Sequence, residues 1–268
     1  MHFATACDGA RIAYHLDSSV PPGQSPKGTV LMHHGLGLNG HAWRQWLPPL
    51  LDAGFQVIRL DMRGHGQSDK PDPGFPWSTA RLCGDVDAVL EQEDVRQCHF
   101  VGESWGGTIG LAWAIRNPDR TRTLTVMSTT YDGGLVPKLD RFAPMIREEG
   151  IGAWSAMMLP ARFMPEFDKG IQRWVDRTQS DCVPHVIADM SDYIIGESLE
   201  EALPSLGAPV LILAAQGSPF VKPEMAVTLF QRLPDAELHR FPGHRHGLVL
   251  SGAEIGAREL TSFILRRG

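Results

Sequence analysis

The sequence predicts an α/β fold with a mostly parallel sheet that is flanked by helices. Over about the first 130 residues, short β-rich runs alternate with longer helical patterns, which is typical of strand–helix–strand units. Several strand-like runs are continuously apolar, as strands are when helices cover both faces of a sheet. Because the alternation returns after residue 206, both parts of the chain are expected to contribute to one sheet.

Most expected strands are separated by a segment long enough for a right-handed crossover. The first pair differs, because Asp8-Gly9 joins two short runs and predicts an antiparallel hairpin. Strands are expected at 11–16, 29–34, 55–60, 98–101, 123–127, 209–214 and 237–241, and helices at 43–53, 79–91, 105–117, after Pro223 and at 253–265.

The segment 131–206 has a different pattern. It is rich in Met, Trp and Phe, and prolines divide it into amphipathic pieces. We interpret it as a helical cap inserted into the sheet domain. The predicted organisation is therefore a core formed by 1–130 and 207–268, with a cap formed by 131–206.

The composition favours a small molecule as the partner. The formal charge is -6, acidic and basic residues are interspersed, and no long basic block is present, which argues against nucleic acid or an anionic membrane. No apolar run approaches the roughly 18 residues of a membrane span, and the N-terminal residues lack a basic segment followed by an apolar stretch. The four cysteines are far apart, which predicts free thiols rather than a metal or redox pair. A cytoplasmic protein is expected.

The sequence GESWGG at 102–107 predicts a nucleophile on a tight turn. It follows the apolar run 98–101 and precedes a helical run, so strand, turn and helix come in the required order. Glycines are needed beside the central Ser104 because a Cβ would clash where the strand and helix cross. The helix N-terminus places N–H groups beside the reacting oxygen, so we predict that Ser104 is a catalytic nucleophile.

Two further segments are expected at the same edge of the sheet. The loop that begins at His33 and His34 is predicted to place the amide of Leu36 beside that of Trp105, so that the two form an oxyanion hole. We expect the two histidines to orient the loop by hydrogen bonds rather than to bind a metal. Near the C-terminus, the sequence PGHRHG at 242–247 offers His244 and His246 as candidate bases.

The whole chain resembles the α/β-hydrolase superfamily. The markers are His34-Gly35, the sequence DMRGHGQS at 61–68, the nucleophile turn and Pro242-Gly243-x-x-His246. The resemblance implies an eight-stranded sheet and favours His246 over His244 as the base. It also implies that Asp61, Arg63 and His65 brace a loop rather than act in catalysis. The Ser-x-Gly-Gly helix, its Asn117-Pro118 stop and the sequence IREEG at 146–150 are similar to enol-lactone hydrolases of the β-ketoadipate type.

The chain departs from the superfamily at the acid that normally orients the histidine. Ser218 occupies the expected position after the seventh strand, and a serine cannot stabilise an imidazolium as a carboxylate does. Asp132, in the region after the sixth strand, is our substitute candidate, although it lies a few residues beyond the expected strand end and is equally suited to opening a turn. A Ser–His dyad oriented by Ser218 or by water is the remaining option. Glu103 is expected to act at most through its charge.

A capped, largely apolar pocket is expected above Ser104. Residues expected to meet the substrate are Asn39, His41, Trp154, Met158 and Arg162.

By resemblance, the expected activity is that of a serine hydrolase acting on an ester, a lactone or a vinylogous carbon–carbon bond, without metal or nucleotide. Two alternatives stay open, because fold alone does not define function. One is a relative with non-hydrolytic chemistry (acyl transfer, a lyase reaction or cofactor-free oxygenation) that uses His246 as base. The other is a ligand-binding protein without activity. The sequence leaves the oligomeric state open.

Overall fold

The computed structural model describes all 268 residues and contains one eight-stranded sheet. The strand order is β1-β2-β4-β3-β5-β6-β7-β8; β1 pairs antiparallel with β2 and β2 antiparallel with β4, and every later pairing is parallel. The strands are β1 His2–Thr5, β2 Arg11–Asp17, β3 Thr29–His33, β4 Gln56–Leu60, β5 Cys98–Glu103, β6 Thr121–Met127, β7 Val210–Ala215 and β8 Ala236–Phe241.

Ten α-helices accompany the sheet. The mostly parallel eight-stranded architecture predicted from the sequence is confirmed. The helices are α1 Leu47–Asp52, α2 Thr79–Gln92, α3 Trp105–Arg116, α4 Phe142–Glu149, α5 Ile151–Arg162, α6 Lys169–Ser180, α7 Pro184–Ile195, α8 Pro223–Arg232, α9 Leu248–Ser251 and α10 Ala253–Arg267. None of them is long and apolar enough to cross a bilayer.

The central strands are buried on both faces. Strands β3, β5 and β7 contain no exposed residue. Neighbouring residues of β5 belong to different apolar clusters, with Phe100 in the cluster that includes α3 and Val101 in the cluster that includes α10. This follows from the pleat, which directs successive side chains to opposite faces. The sheet is therefore a rigid platform whose carboxyl edge carries the loops described below.

One predicted helix begins later than expected. The sequence pattern predicts a helix over 43–53, whereas a 3₁₀ helix spans Gly40–Trp46 and the α-helix begins only at Leu47. Pro48 and Pro49 stand at the start of α1, because a proline has no N–H to donate and its ring clashes with a preceding turn.

Helices α4 to α7 lie in the segment predicted as the cap, between β6 and β7. The two ends of this segment are joined, since Gly133 N donates to Glu197 O at 2.8 Å and Leu199 N donates to Tyr131 O at 2.8 Å. At the far side of the segment, the end of α5 is bonded to the loop after β8. His246 N donates to Ala161 O at 3.2 Å, and Gly247 N donates to Arg162 O at 3.0 Å. The helices between β6 and β7 thus contact the sheet domain at His246, the residue predicted to act as the base.

Candidate active site

Ser104 occupies a strained turn between β5 and α3. Its backbone has φ 54° and ψ −122°, a conformation that costs a non-glycine residue about 1–3 kcal/mol and is concentrated at functional sites. A Cβ on Gly102 would lie 2.5 Å from the carbonyl oxygen of Gly106, and a Cβ on Gly106 would collide with the backbone of His33. The two glycines of the motif are therefore required by the crossing of strand and helix.

The loop after β8 carries His246 to Ser104. Its Nε2 lies 3.1 Å from Ser104 Oγ, and its side chain is buried. His244 is directed elsewhere, with Nδ1 3.0 Å from Ser251 Oγ. The geometry thus brings His246, and not His244, to Ser104.

The predicted oxyanion donors lie at the same place. The N–H of Leu36 makes no hydrogen bond, and that of Trp105 stands at the first position of α3, where the helix offers no acceptor. His34 fixes the loop that contains Leu36 through both ring nitrogens. Nδ1 lies 2.8 Å from Gly35 O, and Nε2 accepts from Met62 N at 2.9 Å. Burial lowers the pKa of His34 to about 3, so the imidazole is neutral and suited to this orienting role.

Residues 61–68 form hydrogen bonds that hold the loop after β3, which contains Leu36, in place. Asp61 Oδ1 accepts from Gly40 N at 2.8 Å, and His65 Nε2 accepts from Gly37 N at 3.1 Å. The Arg63 guanidinium donates to the carboxylates of Asp8 and Asp85 and does not contact Ser104. These contacts are structural.

A buried ion pair contacts the loop that contains Leu36. Glu103, the residue before Ser104, is fully buried, and its Oε2 accepts from Gly35 N at 2.8 Å. Arg162, the last residue of α5, is equally buried; its Nη1 lies 3.5 Å from Glu103 Oε1, and its Nη2 donates to Leu36 O at 2.8 Å. The pair therefore fixes the backbone on both sides of the Leu36 amide. Burial raises the pKa of Glu103, and the Arg162 charge opposes that shift.

The structure places Ser218, not a carboxylate, beside Nδ1 of His246. Ser218 Oγ lies 3.1 Å from that nitrogen. The expected acid, Asp132, is not brought to His246: its Oδ1 accepts from Gly134 N at 2.8 Å and opens the turn Gly133–Leu135. The physical reason is register, because β6 ends at Met127 and four residues of loop separate it from Asp132.

Asp132→Asn is accordingly expected to retain turnover within about twofold of wild type, because the amide oxygen can still accept from Gly134 N and the imidazole is not touched. Initial rates on an activated ester measure this. A loss of tenfold or more with unchanged thermal stability would restore Asp132 as the acid.

A largely apolar cavity opens onto Ser104 and His246. The cavity is small, with a volume of about 50 Å³, well below the roughly 300–1,000 Å³ typical of small-molecule sites. Met158 and Arg162, two of the residues expected to meet the substrate, line it. Further lining residues, which the sequence did not single out, are Thr130, Val136, Leu139, Phe142, Ile194, Phe220 and Val221.

Three residues expected to meet the substrate do not line the cavity. The Asn39 side chain accepts from His41 N and begins the 3₁₀ helix, while the His41 ring contacts that of His15, 4.9 Å away between centroids. Trp154 is fully buried and packs edge to face against Phe142. A tryptophan of the cap segment is thus part of the core here, because burying its ring stabilises the junction between helices.

Two residues have a larger place in the site than the sequence pattern indicates: Glu103, which belongs to a buried ion pair, and Ser218, which contacts His246. The only local signal for Glu103 was a carboxylate inside an otherwise apolar strand end, which requires a buried cation. Its partner Arg162 is 59 positions away, so no spacing rule connects the two.

A strained serine between a parallel strand and a helix, a histidine at its hydroxyl and a free amide beside it together define the class of α/β enzymes that carry a nucleophile on a strand–helix turn. Residues 28–253 match a family described as "alpha/beta hydrolase fold". The chain belongs to the α/β-hydrolase family, which confirms the resemblance seen in the sequence.

Individual relatives have several activities. The chain is 32% identical to epoxide hydrolase B of Mycobacterium tuberculosis over 133 residues, 50% of this chain but only 36% of that protein's length. It is 27% identical to 3-oxoadipate enol-lactonase 2 of Acinetobacter baylyi, covering 74% of each chain. The crystal structure of the enol-lactonase from Burkholderia xenovorans LB400 superposes with a TM-score of 0.90 over 98% of this chain and 100% of that one, at 21% identity. That last likeness shows a shared fold.

Proposed function

We propose that the protein is a serine hydrolase that cleaves an ester, a lactone or a related acyl bond of a small, largely apolar molecule. The observation that carries the proposal is the meeting of Ser104 Oγ with His246 Nε2 at 3.1 Å beside the unbonded Leu36 amide. Those are the groups that acyl transfer needs: a nucleophile, a base and donors for an oxyanion.

The reaction would take two steps. Ser104 Oγ attacks the acyl carbonyl carbon while its proton passes to His246 Nε2, and the amides of Leu36 and Trp105 hold the oxyanion. His246 then protonates the leaving oxygen as its bond to the acyl carbon breaks. In the second step, water loses a proton to His246 and attacks the acyl-enzyme, which releases the acid and restores the Ser104 hydroxyl. None of the steps uses a metal or a nucleotide.

The cavity supports an apolar acyl or leaving group. Nine of its 13 lining residues are hydrophobic, and Arg162 is the only lining residue with a permanent charge. A lactone or short ester would suit this lining. The partner we propose is thus a small molecule, acted on in the cytoplasm.

A second candidate function rests on Ser218. With a hydroxyl instead of a carboxylate at Nδ1, the imidazolium formed during attack lacks its usual stabilisation. Non-hydrolytic chemistry, with His246 as a base acting directly on the substrate, needs less from Ser104. This alternative predicts that Ser104 is dispensable for turnover.

Labelling with a fluorophosphonate tests the proposal without knowledge of the substrate. After prolonged incubation we expect intact-mass spectrometry to show one adduct on the wild-type protein and none on Ser104→Ala, because a serine beside a histidine base and an oxyanion hole reacts where ordinary serines do not. Ser191→Ala is the matched control: this buried hydroxyl bonds only Ile187 O within α7, so its removal should leave labelling unchanged. A folded wild-type protein that forms no adduct would favour the second candidate.

A further inference from the structure

Ser218 lies in a turn whose amides converge on its hydroxyl. The turn follows β7 at the carboxyl edge of the sheet, and the residue is 6% exposed. Val221 N donates to Ser218 Oγ at 3.0 Å, and Phe220 N donates to it at 3.3 Å. The third neighbour of the oxygen is Nδ1 of His246 at 3.1 Å.

Counting donors and acceptors determines the direction of that third bond. A serine hydroxyl has one hydrogen to donate and two lone pairs to accept with. The two backbone amides use both lone pairs, so the hydrogen is left for His246 Nδ1. This nitrogen then accepts, and a neutral imidazole that accepts at Nδ1 carries its proton on Nε2.

The surroundings of His246 keep the ring neutral. The ring is enclosed, with the Phe220 ring edge to face at 5.1 Å, and no carboxylate bonds to it. Burial, together with the nearby Arg162 charge, lowers the pKa of His246 to about 3. The ring therefore carries a single proton across the ordinary working range of pH.

We propose that Ser218 is a positioning residue that holds resting His246 in the Nε2–H tautomer, so that Ser104 Oγ receives a hydrogen bond instead of donating one. The inference rests on the proposed function and describes how the reactivity of its nucleophile is lowered at rest. Before attack, the proton must leave Nε2 and a proton must reside on Nδ1. An Nδ1–H can bond to Ser218 Oγ only by displacing an amide donor, and the longer bond from Phe220 N is the one to yield.

This arrangement predicts a low intrinsic reactivity at Ser104. In a complete triad, the third residue accepts from Nδ1 and so selects the tautomer in which Nε2 can take the serine proton. Ser218 selects the opposite tautomer, since it is a donor. The tautomer, and not the distance from His246 to Ser104, limits the rate of attack.

Nitrogen-15 NMR of histidine-labelled protein tests the proposal without any substrate. The His246 signals are assigned by their absence in His246→Gln. We expect wild type to carry the ring proton on Nε2, Ser218→Thr to keep it there because the hydroxyl is retained, and Ser218→Asp to move it to Nδ1. His99, whose Nδ1 lies 2.9 Å from Thr123 Oγ1, serves as the internal control and should not change.

A wild-type proton on Nδ1 would overturn the inference, and so would a tautomer that is the same in wild type and Ser218→Asp. Neither result depends on labelling at Ser104, so a failure here is distinct from a failure of the proposed hydrolase. An unchanged His99 signal shows that each variant is folded.

Discussion

Ser218→Asp is expected to raise the rate of ester hydrolysis, and of fluorophosphonate labelling, by roughly 10²- to 10⁴-fold. The carboxylate would accept from His246 Nδ1 and so place the free lone pair of Nε2 toward Ser104. It would also stabilise the imidazolium that forms during attack, which the nearby Arg162 opposes in the wild-type protein. The turn can hold a carboxylate at position 218, because the amides of Phe220 and Val221 already donate to the Ser218 side chain.

The pH dependence gives the same prediction a second readout. His246 in the wild type has a pKa of about 3, so it stays neutral as the pH falls from 7 to 5, and activity should not decline through its protonation. An adjacent carboxylate favours the charged imidazole and raises its pKa. The Ser218→Asp variant should therefore lose activity at a higher pH than wild type does.

Ser218→Asn is the matched control, since it is nearly isosteric with aspartate but carries no charge. Ser218→Asn should give little of the rate increase that is expected for Ser218→Asp. Equal rates for the Asn and Asp variants, measured with p-nitrophenyl butyrate, would contradict the electrostatic account.

Arg162→Met is expected to lower the free energy of unfolding by about 3–5 kcal/mol, which is the usual cost of leaving one member of a buried ion pair without its partner. Glu103 would keep a buried charge held only by Gly35 N, and Leu36 O would lose its donor. Denaturant titration measures the loss. Because the Leu36 carbonyl is released, kcat should fall more than KM rises.

Two variants sharpen this result. Combining Arg162→Met with Glu103→Gln should restore part of the lost stability, since the uncompensated charge is gone. Arg258→Met removes an exposed helical pair with Glu254 and should have a negligible effect. Equal losses for Arg162→Met and Arg258→Met would show that the buried pair does not fix the loop.

The fold and the proximity of Ser104 and His246 could be predicted because their signals are local. The alternation of apolar runs with helical patterns predicts the parallel sheet, and the glycines around Ser104 report a crossing that only glycine permits. His246 follows the last strand and completes the pattern Pro242-Gly243-x-x-His246, which resembles that of the superfamily. In each case a short segment contains both the signal and its cause.

The rest of the site depends on contacts between distant segments. The choice between Asp132 and Ser218 depends on where β6 ends, and a difference of a few residues directs a side chain to a turn or to the imidazole. The pairing of Glu103 with Arg162 depends on how α5 packs against the sheet. Trp154 illustrates the same limit, since composition cannot tell a cavity wall from a buried helix junction.

Trapping the acyl-enzyme is the most direct test of the account. The protein is mixed with p-nitrophenyl acetate, quenched in acid at several times and digested for peptide mass mapping. We expect a single acetyl group on the peptide that contains Ser104. This group should disappear as acetate is released and should be absent from Ser104→Ala. Ester turnover that continues in Ser104→Ala at the wild-type rate, with no acetyl group on that peptide in the wild type, would contradict this mechanism.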